Sequence, residues 1–429
     1  MPARPTSVRH QILAATTLAA FLMYLDRACL AWMLDSDSFK AAIPLGKEQA
    51  NHLKSAFFWA YALAQVPAGW LAERFGKRTL MTLLIVLWSG FTALTGFSNG
   101  LVMLFVARIG CGLAEAGAYP ISGSLLSRWA HLNWRGFASG IVSLGGRLGF
   151  VLAPLITVKV ILFAGSWRWA GWSYGGIGLL VAAAFWIAFR ETPETHPRCD
   201  DAERVLLAEG RAQSAESAPA GRRRFPWGAV LTDRSLWLMC AYQMLTNFGW
   251  AFVINSMSTY LRDVRHLSDE MNGYISTLTL FIGLFGLLIG GLLTDGLTRR
   301  FGLRLGRLLP LSTTRFLSAA MCLACLWVRS PWLLAVALGL MVFSTDLALP
   351  AVWAWAQDVG GRNVAPIFGW ANMWGNFGAA LQANLAGWLL ATFDTNGDQQ
   401  ELFIACAIAF AVAGVLSFGI NAAQQVRGA

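Results

Sequence analysis

The chain has 429 residues, 56% of them hydrophobic and only 13% charged, with a formal net charge of +10 at pH 7. A soluble domain usually carries about 25% charged residues, so the composition excludes an ordinary soluble enzyme and indicates a polytopic membrane protein. The positive charge is no nucleic-acid footprint, because the Lys and Arg residues lie in short segments between apolar runs.

Twelve apolar runs follow one another, at about 12–34, 50–72, 79–97, 101–126, 136–162, 171–189, 235–260, 271–294, 305–327, 332–356, 364–392 and 400–422. Each approaches the roughly 20 residues that a helix needs to cross a bilayer. Arg4, Arg9 and His10 before the first run mimic a signal peptide, but that run continues to Leu34 and many like it follow, so a retained first span is expected. The polar stretch from Arg190 to Arg234 contains Asp200-Asp201, an Ala/Ser/Glu/Gly-rich piece and Arg222-Arg223-Arg224. Its composition reads as a partly disordered linker. The expected organisation is an N-terminal six-helix half (1–189), a cytoplasmic linker (190–234) and a C-terminal six-helix half (235–429). Lys and Arg concentrate at the termini and in the even-to-odd loops. The opposite face holds only Lys40, Lys47, Arg168, Arg262, Arg265 and Arg329. The positive-inside rule then places both termini in the cytoplasm of a multi-pass protein of the cell's inner (plasma) membrane.

The halves repeat. Gly69-Trp-Leu-Ala-Glu73-Arg74-Phe-Gly76-Lys77-Arg78 follows span 2, and Gly291-Leu-Leu-Thr-Asp295-Gly-Leu-Thr-Arg299-Arg300-Phe-Gly302 follows span 8. Either alone reads as a positive-inside loop. Their recurrence half a chain apart is the pattern of secondary transporters, whose paired halves alternate around a midplane site.

Charges at membrane depth mark candidate sites, since each costs at least about 2.5–3.5 kcal/mol unless it is paired or wet. Span 1 has Tyr24-Leu-Asp26-Arg27, span 4 has Arg108 and Glu115, and span 5 has Arg147 among close glycines that let helices approach. Arg108 and Glu115 are seven positions apart and share a helix face. Three cations against two carboxylates leave one positive charge unpaired, so the cluster should attract an anion, and protonation of Asp26 and Glu115 should strengthen that attraction. A static salt-bridge network is the competing reading. The second half is more neutral: Gln243, Asn247 and Asn255 in span 7; Ser344, Thr345, Asp346, Trp353 and Trp355 in span 10; Asn372, Asn376, Gln382 and Asn384 in span 11. These side chains suit hydroxyls and apolar faces of a substrate, though for any single one helix–helix hydrogen bonding competes. Asp346 is open to three roles: pairing with Arg315, binding protons or selecting a substrate feature. The seven cysteines are scattered and read as apolar packing residues. No phosphate-cradling GxxxxGK[ST], no HExxH and no metal-spaced His set is present, so neither an enzyme nor a cofactor is expected.

These pieces resemble the major facilitator superfamily over nearly the whole chain. Gly69 to Arg78 is similar to its signature loop, with Glu73 in place of Asp. Within the superfamily, Tyr24 to Leu30, Phe57-Phe-Trp-Ala-Tyr61-Ala-Leu-Ala-Gln65-Val-Pro67, Arg108 to Pro120, Gly145-Gly-Arg147-Leu-Gly149, Pro226-Trp227 and Gly375-Asn376 resemble the anion:cation symporters, which include galactonate, glucarate and hexuronate carriers and sialin. The resemblance implies an all-α membrane protein of twelve transmembrane helices in two pseudo-symmetric halves. It implies Asp26 and Glu115 as the protonatable pair. Tyr24, Arg27, Tyr61, Arg108, Arg147, Trp353, Asn376 and Gln382 are expected on the substrate path. Gly69, Glu73, Arg74, Gly76, Arg78, Asp295 and Arg299 are expected to form the conformational gates. Ser256-Met-Ser258-Thr-Tyr260-Leu stands where the family has Trp-x-Pro-Thr-Tyr-Leu.

The expected function is proton-coupled symport of a small organic anion, such as a sugar acid, by alternating access. A drug or metabolite exporter, an organic anion or phosphate-ester antiporter, and a non-transporting membrane sensor are the alternatives. The expected partners are the anion, protons and the lipid bilayer, with no nucleic acid and a monomeric chain.

Overall fold

A computed structural model describes residues 5–212, 227–393 and 398–426. Arg4, the Ala/Ser/Glu/Gly-rich piece and the run Arg222-Arg223-Arg224 lie outside the described residues. Among the described residues, twelve long helices fall on the twelve apolar runs: α1 (Val8–Asp35), α2 (Lys47–Phe75), α3 (Lys77–Phe97), α4 (Leu101–Trp129), α5 (Arg135–Ala164), α6 (Arg168–Ala188), α7 (Arg234–Asn255), α8 and α9 (together Asp269–Trp327), α10 (Pro331–Val359), α11 (Val364–Phe393) and α12 (Gln400–Ser417). Gly302 separates α8 from α9 with φ 77°, and Gly76 separates α2 from α3 with φ 93°. Both are in the left-handed region that glycine enters without steric penalty. The two glycines of the repeated loop motif are thus where each half turns its chain between helices. Helix α4 is interrupted after Glu115 and resumes at Ala118, just before Pro120.

The chain forms two compact units. The first comprises 1–132, 141–225 and 360–369; the second comprises 133–140, 226–359 and 370–429. Each unit repeats the same pairing of helices, and glycines set the spacing. In the first unit, a Cβ on Gly149 of α5 would sit 2.1 Å from the Phe21 carbonyl of α1, and one on Gly112 of α4 would sit 2.5 Å from the Phe57 carbonyl of α2. In the second unit, a Cβ on Gly378 of α11 would sit 1.9 Å from the Met244 carbonyl of α7, and one on Gly290 of α8 would sit 2.2 Å from the Leu347 carbonyl of α10. Backbone-to-backbone approach of this kind is how helices associate in lipid, where hydrophobic burial no longer drives them together. It also fixes which polar side chains meet.

Several helix N-termini are capped by carboxylates from elsewhere in the sequence. Glu203 accepts the Val8 and Arg9 amides of α1, Glu191 accepts the Arg78 amide of α3, and Asp295 accepts the Gly136 and Phe137 amides of α5. Each satisfies donors that a helix start leaves without intrahelical partners.

The described part of the expected linker, residues 190–212, is ordered. Residues 190–212 fold onto the first unit. A short helix, Asp201–Ala212, carries Glu203, which also takes the Thr6 hydroxyl at 2.6 Å and pairs with Arg9 at 3.0 Å. Polar composition suggests a solvated coil, but here the polar groups are spent on capping α1. All seven cysteines are free and buried.

Candidate functional site

The first unit gathers the charged residues of α1 and α4. Glu115, at the end of the first piece of α4, is fully buried and pairs with Arg27 of α1: Arg27 Nε donates to Glu115 Oε2 at 3.0 Å and Nη2 lies 2.9 Å from the same oxygen. The guanidinium is enclosed by aromatic faces. Its Cζ is 4.4 Å from the ring centroid of Tyr61, 4.7 Å from Tyr24 and 5.0 Å from Phe57. Such contacts hold a cation without neutralising it. Arg108, about two turns before Glu115 on the same face of α4, lies 4.7 Å over one of these rings, Phe57.

Asp26 is next to Arg27 in sequence but turns the other way. It is 2% exposed, and neither of its carboxylate oxygens has a hydrogen-bond partner. The charged groups acting on it are Glu115 and Arg108. Tyr24 and Tyr119 extend the cluster toward α5, with ring centroids 5.7 Å apart, and Gly146 makes room for both rings. Arg147, half-buried one residue further along α5, acts electrostatically on Tyr119. Asp26, Arg27, Arg108, Glu115, Tyr24, Tyr61 and Arg147 therefore belong to one neighbourhood in one unit.

The second unit is differently built. Trp353 is completely buried, as is Trp355. Asn376 is half-buried and donates to the Asn372 carbonyl of its own helix at 2.8 Å. Gln382 is buried and donates to Ser256 Oγ at 3.0 Å, which fastens α11 to the end of α7. Arg315 of α9 is fully buried and donates from Nη2 to the Thr345 and Ser344 carbonyls of α10 at 2.8 and 3.1 Å. Asp346, also buried, acts on it electrostatically.

The loop motifs sit against helix starts. In the first unit, a Cβ on Gly69 would lie 2.7 Å from the backbone of Ala365 and Pro366 at the start of α11. Glu73 accepts from Ser124 at 2.8 Å and pairs with Lys77 at 3.2 Å. Arg78 packs on Trp186 at 3.8 Å and bonds its carbonyl; Arg74 is exposed and lies over Trp70. In the second unit, Gly291 makes the matching approach to Gly136 and Phe137 at the start of α5, where Asp295 provides its caps. Arg299 is exposed and acts on Asp295.

Some residues of these sites carry little or no signal in the sequence. Asp358 bridges two buried arginines, Arg135 at 2.9 Å and Arg307 at 2.8 Å. Both arginines lie at ends of apolar runs, where they count as positive-inside charges, so nothing local distinguishes them. Tyr119 has a usable signal: it is four residues beyond Glu115, about one helical turn, across the interruption of α4.

A helical membrane protein of two repeated halves, with charged and aromatic side chains buried together between the helices of the first, is built as a secondary transporter rather than an enzyme. The chain belongs to the Major Facilitator Superfamily, whose profile matches residues 16–383. It is 28% identical to the probable sulfoacetate transporter SauU of Cupriavidus necator, over 87% of this chain and 84% of that protein. It is also 28% identical to the probable galactarate/D-glucarate transporter GudP of Bacillus subtilis, over 97% and 92%. Among solved structures, the human organic anion transporter MFSD10 superposes with a TM-score of 0.72 at 16% identity, covering 96% of this chain and all of that one. The proton:xylose symporter XylE gives 0.70 at 16% identity, covering 97% of each. These two likenesses establish the fold.

Proposed function

We propose that the protein imports a small organic anion together with protons, by alternating access. The observation that carries this reading is the make-up of the α1–α4–α5 cluster. Arg27, Arg108 and Arg147 face two carboxylates, one of which, Asp26, is buried with both oxygens unbonded. With all five groups ionised the set has one net positive charge; with both carboxylates protonated it has three. Anion affinity and carboxylate protonation are then linked, each favouring the other. Glu115 holds Arg27 until a substrate carboxylate competes for it, and Asp26 takes up the proton that offsets the new charge balance.

Tyr24 and Tyr61 flank the guanidinium and offer hydroxyls to a polyhydroxylated acid. Trp353, Asn376 and Gln382 contribute selectivity from the second half. Gly69, Glu73, Arg74, Gly76 and Arg78, with Asp295 and Arg299, work as the two gates; the support is that Gly69 lies against the start of α11 and Asp295 caps the start of α5. The relatives' names support a sugar acid or sulfonated acid as cargo, and the loop charges support cytoplasmic termini in the inner membrane. If a monoanion enters with more than one proton, net positive charge moves inward, and the membrane potential contributes about 2.3 kcal/mol per charge per 100 mV.

The test is uptake into proteoliposomes of labelled D-glucarate, D-galactonate and sulfoacetate under an inward proton gradient. Accumulation of at least one of them, abolished by a protonophore, is expected. Accumulation that ignores the protonophore overturns proton coupling, and failure of all three overturns the substrate class.

A further inference from the structure

The second unit holds a buried carboxylate that the mechanism above does not use. We infer that Asp346 is a second proton-binding site of this transporter, in the C-terminal half within electrostatic reach of Arg315. The inference deepens the proton-coupled reading and rests on it.

Three observations carry it. The first is position. Glu115 lies fourteen residues after Leu101, the first residue of α4, and Asp346 lies fifteen after Pro331, the first residue of α10. Each is followed within five residues by a proline, Pro120 or Pro350. Since α4 pairs with α2 as α10 pairs with α8, Asp346 occupies along its helix the position that Glu115 occupies along α4.

The second is the cation. Arg315 is fully buried, its Nε and Nη1 have no hydrogen-bond partner, and Nη2 is committed to the Ser344 and Thr345 carbonyls and to Thr314 Oγ1 at 3.2 Å. Carbonyls solvate the guanidinium without cancelling its charge. Tyr242 of α7 and Phe410 of α12 face it with ring centroids at 5.7 Å. Among the described residues, Tyr242 and Asp346 are the titratable groups acting on it. From α8 the neighbour of the carboxylate is Gly283, where a Cβ would lie 3.4 Å from Asp346 Oδ2.

The third is the fixed hydroxyl set just before Asp346 in sequence. Ser318 Oγ lies 2.6 Å from Ser344 Oγ and 3.2 Å from Thr345 Oγ1. Ser318 also donates to the Thr314 carbonyl, and Ser344 and Thr345 donate to the Met341 carbonyl, so these groups tie α9 to the turn of α10 that leads into Asp346. A proton on Asp346 leaves Arg315 as an uncompensated charge, and its removal restores the balance. Because Arg315 also holds the α10 backbone just before Asp346, that change acts on the helix that carries Trp353.

The test uses the full chain in liposomes and needs no substrate. The wild type is labelled with N,N′-dicyclohexylcarbodiimide, which modifies protonated carboxyls in apolar surroundings, across a pH series and read by peptide mass spectrometry. In parallel, pH-difference infrared spectra are recorded for wild type, D346N and R315Q. The expected result is an adduct on Asp346 whose yield falls by about tenfold between the acid and alkaline ends. One carboxylic-acid component should be lost in D346N and displaced along the pH axis in R315Q. An unlabelled Asp346 beside labelled Asp26 or Glu115, with a D346N spectrum superimposable on wild type, overturns the inference and leaves the symport reading standing. If D346N does not fold, the wild-type labelling alone decides.

Discussion

Arg27 brings both Nε and Nη2 to a single oxygen of Glu115, at 3.0 and 2.9 Å, and leaves Glu115 Oε1 buried without a partner. A pair made through one oxygen keeps the other available to a proton, whereas a two-oxygen fork would tie up both. Replacing Glu115 by Gln keeps a group that accepts from Arg27 but removes the titration. E115Q is expected to retain exchange of substrate across the membrane and to lose proton-driven accumulation. Counterflow and gradient-driven uptake in the same proteoliposomes measure the two. Full accumulation by E115Q removes Glu115 from the coupling.

Arg27→Lys keeps the charge and loses the planar contact with Tyr24, Phe57 and Tyr61. Arginine and lysine are not equivalent at stacked sites. Substrate affinity is expected to fall by about tenfold or more, equivalent to about 1.4 kcal/mol. Titration calorimetry with whichever acid is transported checks it; wild-type affinity would mean the aromatic enclosure is only packing.

Asp26 has no hydrogen-bond partner to lose, so Asp26→Asn exchanges one isosteric group for another. D26N should unfold within a few degrees of wild type in a thermal melt, yet fail to accumulate substrate. A large loss of stability would show that the ionised carboxylate is structural.

Glu203 is fully buried and accepts from α1 and from Thr6. Glu203→Ala strands those donors, at about 1–3 kcal/mol for a buried group left unsatisfied. Its melting temperature should fall clearly, while exposed Glu270→Ala, as a control, leaves it unchanged.

His196 gives the same segment a pH dependence. Its Nδ1 accepts from the Arg198 amide, Nε2 meets the Ala188 carbonyl, and the ring stands edge-on to Trp129. Burial pushes the imidazole below its usual value, with the neighbouring Arg198 and Arg190 charges acting in the same direction. The folded state therefore prefers the neutral ring. The unfolded chain takes up the proton first as pH falls below about 6.5, so the stabilisation is full above that value and declines below it. The difference in melting temperature between wild type and H196N should shrink as the pH is lowered; a pH-independent difference refutes the assignment.

Two helical glycines provide an internal comparison. A Cβ on Gly149 would stand 2.1 Å from the Phe21 carbonyl, whereas nothing lies within 4 Å of one on Gly176. G149A should force α1 and α5 apart and lower the melting temperature, while G176A should raise stability by about 0.5–1 kcal/mol through reduced chain entropy. Equal effects would disprove the close packing.

Much of this architecture is legible in one dimension. Twelve spans follow from the length of apolar run that a bilayer demands, and the twofold repeat follows from a motif recurring at Gly69 and Gly291. The surplus of positive over negative charge in the first half follows from counting Asp26, Arg27, Arg108, Glu115 and Arg147 within its apolar runs. Each is a property of composition or spacing, set by the solvent in which the chain must sit. Which charges meet is another matter. That Glu115 takes Arg27, that Asp26 is left alone, that Asp358 ties Arg135 to Arg307 and that Glu203 caps α1 depend on how far helices approach and how they are rotated. Those quantities are decided where one backbone packs against another, at glycines such as Gly149 and Gly112, and a periodic pattern along a single helix carries no information about its neighbour. The polar linker shows the limit most plainly: its residues avoid a core in any sequence reading, and only the tertiary structure finds for them unsatisfied helix ends to occupy.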